Sequence, residues 1–333
     1  MSAPKYGVAA VGNALVDVIA QADDKFINKQ VKEYGMEKGA MTLIEELRAV
    51  ELYGQMPTGT ETSGGSAANT MAGFASFGGK GAFIGKVAKD GLGETFQKEI
   101  QSIGVTFDTQ PLIMGAKTGR CLILVSDDGE RTMNTFLGAS VELSPDDIDE
   151  DIIGNAQITY LEGYLYDRDE AKKAFVTASE TAHKNGHRVA LTLSDPFCVD
   201  RHRSDFVDLV ENHIDILFAN EEEIKSLYQK SSFEEAMAVV KDKCEIIALT
   251  RGPKGCVIIG DNVEISLPAP KVDQVIDTTG AGDQFAAGFL YGYTEGMSLE
   301  EAGKLGCIAA GEVISHIGPR PLVSLADLTK KVA

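Results

Sequence analysis

The segment from Asp277 to Phe289 carries the residues best suited to chemistry. A glycine-rich turn around Gly280-Ala281-Gly282 stands directly before a run of helix-forming residues. The two glycines let several N–H groups point into one concavity at the helix N-terminus, which attracts anions and above all phosphate. Asp283 follows at once, although its carboxylate would repel a phosphate. It indicates either a general base for a hydroxyl that attacks phosphorus or an acidic residue that only favours the helix dipole.

A second glycine-rich segment could hold the molecule that carries this hydroxyl. Ser63-Gly64-Gly65-Ser66-Ala67-Ala68-Asn69 opens a predicted helix that continues through Phe77. Its small residues let a ligand lie against the backbone, and Asn69 could hydrogen-bond a hydroxyl in either direction. Close packing of a helix on a strand would use the same small residues, so both interpretations stay open.

Asp17 is the third candidate. It lies in Asn13-Ala14-Leu15-Val16-Asp17, just past the end of the first predicted strand, where α/β folds bind ligands. A carboxylate there suits the capture of a sugar diol, and a solvated aspartate in a connecting segment would give the same pattern.

The elements that must position these residues alternate along the chain. Short apolar runs have the length and composition of buried strands, and helix-like stretches separate them. The runs cover 8–12, 82–85, 158–161, 189–193, 214–218 and 246–250, and the helix-like stretches include 65–78, 91–103, 168–184 and 220–228. This alternation predicts an α/β fold with a mostly parallel central sheet flanked by helices.

Two regions interrupt the alternation. Residues 14–44 contain additional strand-like runs, and residues 117–138 predict a hairpin around Asp127-Asp128-Gly129-Glu130 whose alternating arms are typical of a small sheet with one wet face. We predict that they form a small β lid within about residues 14–62 and 104–138. No linker or repeat divides the chain, so we expect a single domain over residues 1–333.

Composition limits the partners. The 31 basic and 50 acidic residues give a net charge of −19, which argues against nucleic acid and against an anionic membrane surface, since both require a basic footprint. The five cysteines include no Cys-x-x-Cys pair, as is typical of reduced thiols, and the N-terminus lacks an apolar signal segment. We therefore expect a cytoplasmic protein that binds a small molecule, with no nucleic acid or membrane partner.

Two common nucleotide signatures do not match. No Gly-x-Gly-x-x-Gly follows the first strand, and in the Walker-like stretch from Gly73 to Gly81 the lysine is followed by Gly81 rather than by Ser or Thr. The chain instead resembles the PfkB/ribokinase family of carbohydrate and nucleoside kinases. The resemblance extends from Gly12 to Pro319 and implies a ribokinase-like fold. The residues that carry it are Gly64, Gly65, Ser66, Ala67, Ala68, Asn69, Gly85, Asp90 and Gly93 in the early motif and 277–283 in the late one.

The resemblance implies a role for each motif. Asp283 would deprotonate the acceptor hydroxyl, and the N–H groups of Gly280, Ala281 and Gly282 would form an anion hole for the transferred phosphoryl group. The implied contacts to the substrate hydroxyls come from Asn13, Asp17, Gly64, Gly65 and Asn69. ATP and Mg²⁺ are the implied cofactors, and the family leaves a dependence on K⁺ open.

The residues predicted to bind the nucleotide and the metal lie in two further segments, 220–223 and 250–255. The resemblance assigns ATP binding to Asn220, Thr250, Gly252 and Gly255, and it implies that Glu223 helps to position Mg²⁺ through water. Without the family, an acidic first helical turn would explain 220–223 and a β-turn between strands would explain 250–255.

Within the family, the chain is most similar to the adenosine kinase branch. The similarity lies in segments 117–121, 131–137, 162–165 and 193–197. By correspondence, an apolar slot for a flat base would be walled by Met41, Met133, Leu137, Tyr164 and Phe197, although plain core packing uses the same residue types.

The activity that this resemblance implies is transfer of the ATP γ-phosphoryl group to the 5′-hydroxyl of adenosine, in purine salvage. A sugar kinase (ribokinase- or fructokinase-like) and an inosine or guanosine kinase are the alternatives, because Asp195-Pro196 is also similar to the sugar-kinase branch. The expected assembly is a monomer or a homodimer.

Overall fold

Two sheets organise the chain. The computed structural model describes residues 3–332, so the ends of the predicted domain, residues 1, 2 and 333, lie outside the described residues. The strands are β1 (Tyr6–Val11), β2 (Leu15–Gln21), β3 (Met41–Leu43), β4 (Thr60–Gly64), β5 (Gly81–Ile84), β6 (Gly119–Val125), β7 (Arg131–Phe136), β8 (Ala156–Glu162), β9 (Arg188–Thr192), β10 (Ile216–Asn220), β11 (Ile246–Thr250), β12 (Cys256–Gly260) and β13 (Val263–Leu267).

Helices connect most of these strands. They are α1 (Asp24–Tyr34), α2 (Glu46–Gln55), α3 (Ser66–Ser76), α4 (Gly91–Ser102), α5 (Glu150–Gly154), α6 (Asp169–Lys184), α7 (Pro196–Arg201), α8 (Arg203–Asn212), α9 (Glu221–Tyr228), α10 (Phe233–Val240), α11 (Ala281–Thr294), α12 (Leu299–Val313) and α13 (Leu325–Val332). In residues 3–332, none of them has both the length and the apolar character that crossing a membrane requires.

The larger sheet has the order β5-β1-β8-β9-β10-β11-β12-β13. Its strands run parallel from β5 to β11, and β12 and β13 return antiparallel at one edge. Alternate residues of each strand face opposite layers, so that Tyr160 and Phe218 pack with α3, α11 and α12, while Leu161 and Leu217 pack with α6, α8 and α9. The prediction of an α/β fold with a mostly parallel sheet between helices is confirmed.

One predicted strand starts later than expected. The apolar run at 214–218 begins its strand at Ile216, and Asp215 just before it already bonds both neighbouring strands: its N–H donates to the Val189 carbonyl and its carbonyl accepts the Ile246 N–H, each at 2.9 Å. The parallel strands end at one common edge of the sheet, where Asn13, Glu162 and Asn220 follow or close β1, β8 and β10. Ligands of α/β sheets bind at this edge.

The smaller sheet has the order β3-β7-β6-β2-β4. The predicted hairpin is confirmed as the antiparallel pair β6 and β7. Before β6, Thr106 forms an isolated bridge to Ala82 of β5, and Leu112 forms one to Ala88, which lies outside the strands. One face of this smaller sheet, which lies in the region of the predicted lid, packs into the main core through Val18 and Leu122. The opposite face carries the cross-strand row Asp17, Cys121 and Thr135.

Candidate active site

The glycine turn leads into α11 as the sequence predicts. Gly280 adopts a φ of +81°, and a Cβ there would lie 2.6 Å from the carbonyl oxygen of Pro319, so this position requires glycine. The Ala281 N–H bonds the carbonyl of Thr278 at 3.2 Å, whereas the Gly280 and Gly282 N–H groups have no protein partner within residues 3–332. A Cβ on Gly282 would meet no atom within 4 Å, so open space lies beside this predicted anion-hole residue.

Helix α3 holds the candidate base. The Ser66 hydroxyl donates a hydrogen bond to Oδ1 of Asp283 at 2.5 Å. Burial raises the pKa of Asp283 to about 7, the Ser66 hydroxyl and the nearby Asn69 amide act to lower it, and the negative charge of Asp17 adds to the rise. A pKa near neutrality suits a general base.

Asn69 is fixed by residues that neither motif contains. Its Oδ1 accepts a hydrogen bond from Arg320 Nε at 2.9 Å, and its backbone carbonyl accepts one from Gln284 Nε2 at 2.9 Å. The same Gln284 amide donates to the carbonyl of Pro319 at 2.9 Å. Packing of α3 against α11 thus brings Asn69 to Asp283.

Asp17 is half-buried and unpaired. Its carboxylate has no hydrogen bond or ion pair to any residue that the structure describes. A Cβ on Gly64 would lie 2.5 Å from this carboxylate, so glycine lets the chain pass directly against it. Burial raises the pKa of Asp17 to about 6, and the charges of Arg320 and Arg131 oppose the rise. A carboxylate in this setting can accept hydrogen bonds from a diol.

Asn13 is a buried link at the end of β1. Its Nδ2 donates to Oε1 of Glu162 at 2.8 Å, and its Oδ1 accepts a hydrogen bond from the Ser140 hydroxyl at 2.9 Å. The second Glu162 oxygen accepts the Ala67 N–H at 2.8 Å. Burial raises the pKa of Glu162 to about 7. The amide of Asn13 is thus engaged with protein groups at both ends, and its contact with substrate stays a prediction, as does that of Gly65 at the start of α3.

The predicted apolar walls lie on β3 and β7 of the smaller sheet and on segments that follow β7, β8 and β9. Met41 and Met133 are register partners on β3 and β7, and Met41 is 46% exposed. Leu137 and Tyr164 are half-buried. Phe197, in the first turn of α7, is 76% exposed. A flat apolar ligand would cover such side chains, so their role as a slot stays a prediction that this exposure supports.

The predicted nucleotide residues lie on neighbouring strands. Asn220 and Thr250 are register partners at the ends of β10 and β11. Gly252 opens the short turn after β11, and the Gly255 carbonyl accepts the Arg251 N–H at 2.7 Å, which closes it. The geometry brings these residues together at the edge of the sheet that holds the acceptor residues, and their contacts with ATP stay a prediction.

Glu223 is the predicted magnesium residue. Its carboxylate accepts the Asn220 N–H at 2.8 Å, and burial raises its pKa to about 7, with the charges of Asp195 and Asp283 adding to the rise. A carboxylate is the kind of ligand that Mg²⁺ prefers, so the residue type of Glu223 fits a contact with a hydrated ion, which stays a prediction. Within residues 3–332, no group of three or more His, Cys, Asp or Glu side chains is arranged to hold a metal.

Arg131 and Asp277 connect the lid to the body. The Nη1 atom of Arg131 lies 2.5 Å from Oδ2 of Asp277, and each side chain is only 9% exposed. Asp277 also accepts hydrogen bonds from the N–H groups of Thr279 and Gly318 at 2.9 Å. Burial would raise the pKa of Asp277, but these two hydrogen bonds and the positive charge of Arg131 together lower it. The sequence reasoning placed both residues in motifs but predicted no pair, and it did not single out Arg320.

A family model and three known proteins match most of the chain. Residues 40–324 match the model of the pfkB family carbohydrate kinases. The adenosine kinase from Sinorhizobium meliloti is 49% identical with a TM-score of 0.90, covering 99% of this chain and 100% of its own. A probable sugar kinase from Rhizobium etli is 47% identical with a TM-score of 0.90, covering 99% of each chain. The adenosine kinase of Saccharomyces cerevisiae is 27% identical over 96% of this chain and 97% of its own. The chain belongs to the PfkB family of kinases and is a phosphotransferase with an alcohol group as acceptor.

Proposed function

We propose that the protein transfers the γ-phosphoryl group of ATP to the 5′-hydroxyl of adenosine, giving AMP and ADP. The observation that carries the proposal is a pair of carboxylates near each other whose surroundings differ. Asp283 has a pKa near 7 and stands beside unpartnered N–H groups, and Asp17 has no protein partner. The 49% identity to an adenosine kinase supports the choice of acceptor. Such an enzyme would act in the cytoplasm in purine salvage.

The chemistry follows from the contacts of Asp283. Its carboxylate takes the proton of the 5′-hydroxyl while that oxygen forms a bond to the γ-phosphorus and the bond to the β-phosphate oxygen breaks. Ser66 and Asn69 keep the carboxylate in place. The N–H groups of Gly280 and Gly282 face the charge that develops on the transferred group. Mg²⁺, held through water by Glu223, would neutralise phosphate charge when ATP is bound.

Recognition of the nucleoside divides between a polar and an apolar end. Asp17 accepts hydrogen bonds from the ribose diol, with Asn69 beside it. The base lies against Phe197 and the methionines of the lid, whose exposed surface it removes from water. Closing of the lid sheet then excludes water from the transfer step.

A sugar kinase of the same family is the second candidate. It is favoured by the 47% identity to the probable sugar kinase from Rhizobium etli and by the buried polar cluster of Asn13, Ser140 and Glu162, which a small polyol could use. An inosine or guanosine kinase would share the ribose contacts and differ only at the base.

A substrate panel tests the proposal. Adenosine, inosine, guanosine, ribose and fructose are each incubated with MgATP, and ADP formation is measured together with the phosphorylated product. We expect adenosine to have the highest kcat/KM. A higher kcat/KM for ribose or fructose would overturn the proposal in favour of the sugar kinase.

A matched pair of variants tests the base slot separately. Phe197→Ala should raise the KM for adenosine about 10-fold, because base–aromatic stacking contributes roughly 1–3 kcal/mol, and leave the KM for ATP unchanged. Met114→Ala, which truncates another exposed apolar side chain, is the control. An unchanged adenosine KM in Phe197→Ala would remove this residue from the slot.

A further inference from the structure

The segment Gly318–Arg320, here called the strap, crosses from the glycine turn to the acceptor pocket. The Gly318 N–H donates to Oδ2 of Asp277 at 2.9 Å, and the Pro319 carbonyl accepts a hydrogen bond from Gln284 Nε2 at 2.9 Å. Two consecutive strap residues are therefore anchored to the elements that carry the candidate base. The position of Arg320 follows from these anchors.

The Arg320 guanidinium spans the glycine-rich segment before and within α3. Its Nε donates to Oδ1 of Asn69 and its Nη1 donates to the Ser63 hydroxyl, each at 2.9 Å. The Ser63 N–H is in turn held by Glu99 at 2.5 Å. One side chain thus contacts both ends of the segment that contains Gly64 and Gly65. Its third nitrogen, Nη2, is buried without a hydrogen-bond partner in residues 3–332.

The contact with Asn69 determines which way its amide points. Arginine can only donate hydrogen bonds, and its Nε contacts Oδ1 of Asn69 at 2.9 Å. An ionised carboxylate can only accept them, and the Asn69 amide lies near enough to Asp283 to lower its pKa. The amide oxygen must therefore face Arg320 and the NH₂ group must face Asp283. The reverse orientation would place the oxygen against a carboxylate and the NH₂ group against a guanidinium.

Arg320 also acts on Asp17. The titratable and charged groups around this carboxylate are Arg320 on the strap, Arg131 on β7, Cys121 on β6 and Asp283 on α11. Arg131 is already paired with Asp277, whereas Arg320 has no ion-pair partner within 4 Å among the described residues. Burial lowers the pKa of Arg320, and the charges of Asp17 and Glu99 oppose this.

We propose that Arg320 is a positioning residue of the acceptor site: it holds the Asn69 amide with its NH₂ group toward Asp283, and it places a permanent positive charge beside Asp17. The inference rests on the proposed function, because it needs an acceptor with a diol at this site. It does not depend on whether that acceptor is a nucleoside or a sugar.

Two substitutions separate the geometric effect from the charge effect. Arg320→Met removes the hydrogen bonds to Asn69 and Ser63 and also the positive charge. We therefore expect the acceptor KM to rise about 10- to 100-fold, as for lost hydrogen bonds to a charged group. The acidic limb of the pH profile of kcat/KM should also move to higher pH, since Asp17 loses the positive charge that lowers its pKa and Asn69 is no longer held with its NH₂ group toward Asp283. Arg320→Lys keeps the charge at Asp17 but cannot bridge Asn69 and Ser63, so the KM should stay raised while the limb moves less.

Three controls keep the test specific. The KM for ATP and the thermal unfolding midpoint should match those of Arg168→Met, which removes an exposed arginine. In an Asn69→Ala background, Arg320→Met should raise the acceptor KM less than about 3-fold further, because the two residues act together. All kinetics use whichever acceptor the substrate panel identifies.

The outcomes are distinct. If Arg320→Met leaves the acceptor KM and the acidic limb unchanged, the inference is overturned. If Arg320→Met does not fold, Arg320→Lys decides: an unchanged acceptor KM overturns the inference and a raised KM supports it. If the wild-type enzyme prefers ribose to adenosine, the proposed function fails, whereas the role of Arg320 is judged on the ribose KM.

Discussion

The Ser66 hydroxyl donates a hydrogen bond to Oδ1 of Asp283 over 2.5 Å, although the two residues are 217 positions apart. Ser66 begins α3, directly after the two glycines, and Asp283 lies in the first turn of α11. The early and late sequence motifs therefore meet at the candidate base. The hydrogen bond favours the ionised form of a carboxylate that burial disfavours.

Ser66→Ala should shift the pH profile of the enzyme. Without this hydrogen bond the pKa of Asp283 rises further above 7, so a higher pH is needed to ionise the base. We expect the acidic limb of kcat/KM to move up by roughly half a pH unit to one unit, with activity falling more at low pH than at high pH. Ser102→Ala on the exposed face of α4 is the control. A uniform loss at every pH would contradict this prediction.

Asp283→Asn keeps the shape of the side chain but cannot accept the proton. Turnover should fall about 10²–10⁴-fold, the usual contribution of a general base, while the affinity for the acceptor changes little. Steady-state kinetics and calorimetry measure the two effects. Asp151→Asn, in the exposed first turn of α5, serves as the matched substitution. Turnover near that of the wild type would show that Asp283 is not the base.

Glu162 should make folding stability depend on pH. It is 1% exposed, and burial raises its pKa from 4.5 to about 7, so the folded state binds this proton more tightly than the unfolded chain. Its contribution to stability is complete below about pH 4.5 and is lost as the pH rises through 7. In Glu162→Gln this loss of folding stability at high pH should be absent.

Urea unfolding of Glu162→Gln and of the wild type tests this at about pH 5 and about pH 8. The free energy of unfolding of Glu162→Gln minus that of the wild type should increase by up to roughly 3 kcal/mol from about pH 5 to about pH 8. The variant can be less stable than the wild type at both pH values, since glutamine has one acceptor oxygen for the two donors Asn13 and Ala67. Glu150→Gln, at an exposed position of α5, is the control. If the difference in free energy of unfolding between Glu162→Gln and the wild type stayed constant with pH, the prediction would be refuted.

Arg131→Gln should loosen the lid. The substitution leaves the Asp277 carboxylate with two backbone donors and removes the bond between β7 and the body. We expect hydrogen–deuterium exchange in β6 and β7 to become faster by at least about 10-fold, with exchange in β8 to β10 unchanged. Arg188→Gln, which breaks an exposed pair with Glu245, is the control. Unaltered exchange in β6 and β7 would show that this pair does not hold the lid.

Much of the fold could be predicted because its signals are local. The parallel strands appear as continuous apolar runs, since both of their faces are buried, and the glycine turn with Asp283 is encoded within a few residues. The outer strand β13 was not predicted because it is mostly exposed and lacks a continuous apolar run, whereas β12 was missed although it is a short buried apolar run like the other strands. The start of β10 differs from the apolar run by two residues, because an apolar pattern does not show where regular strand pairing begins.

By itself, the sequence determined the two motifs, the sheet type and the glycine that the turn requires, since each depends on periodicity or on backbone conformation over a short span. Only the tertiary structure decided which partners complete the site. Arg131 meets Asp277 across 146 positions and Arg320 meets Asn69 across 251, and a lone arginine carries no periodic signal. These contacts exist because the packing of α3, α11 and the smaller sheet brings distant chain segments together, and a buried charge or amide is stabilised where such a partner reaches it.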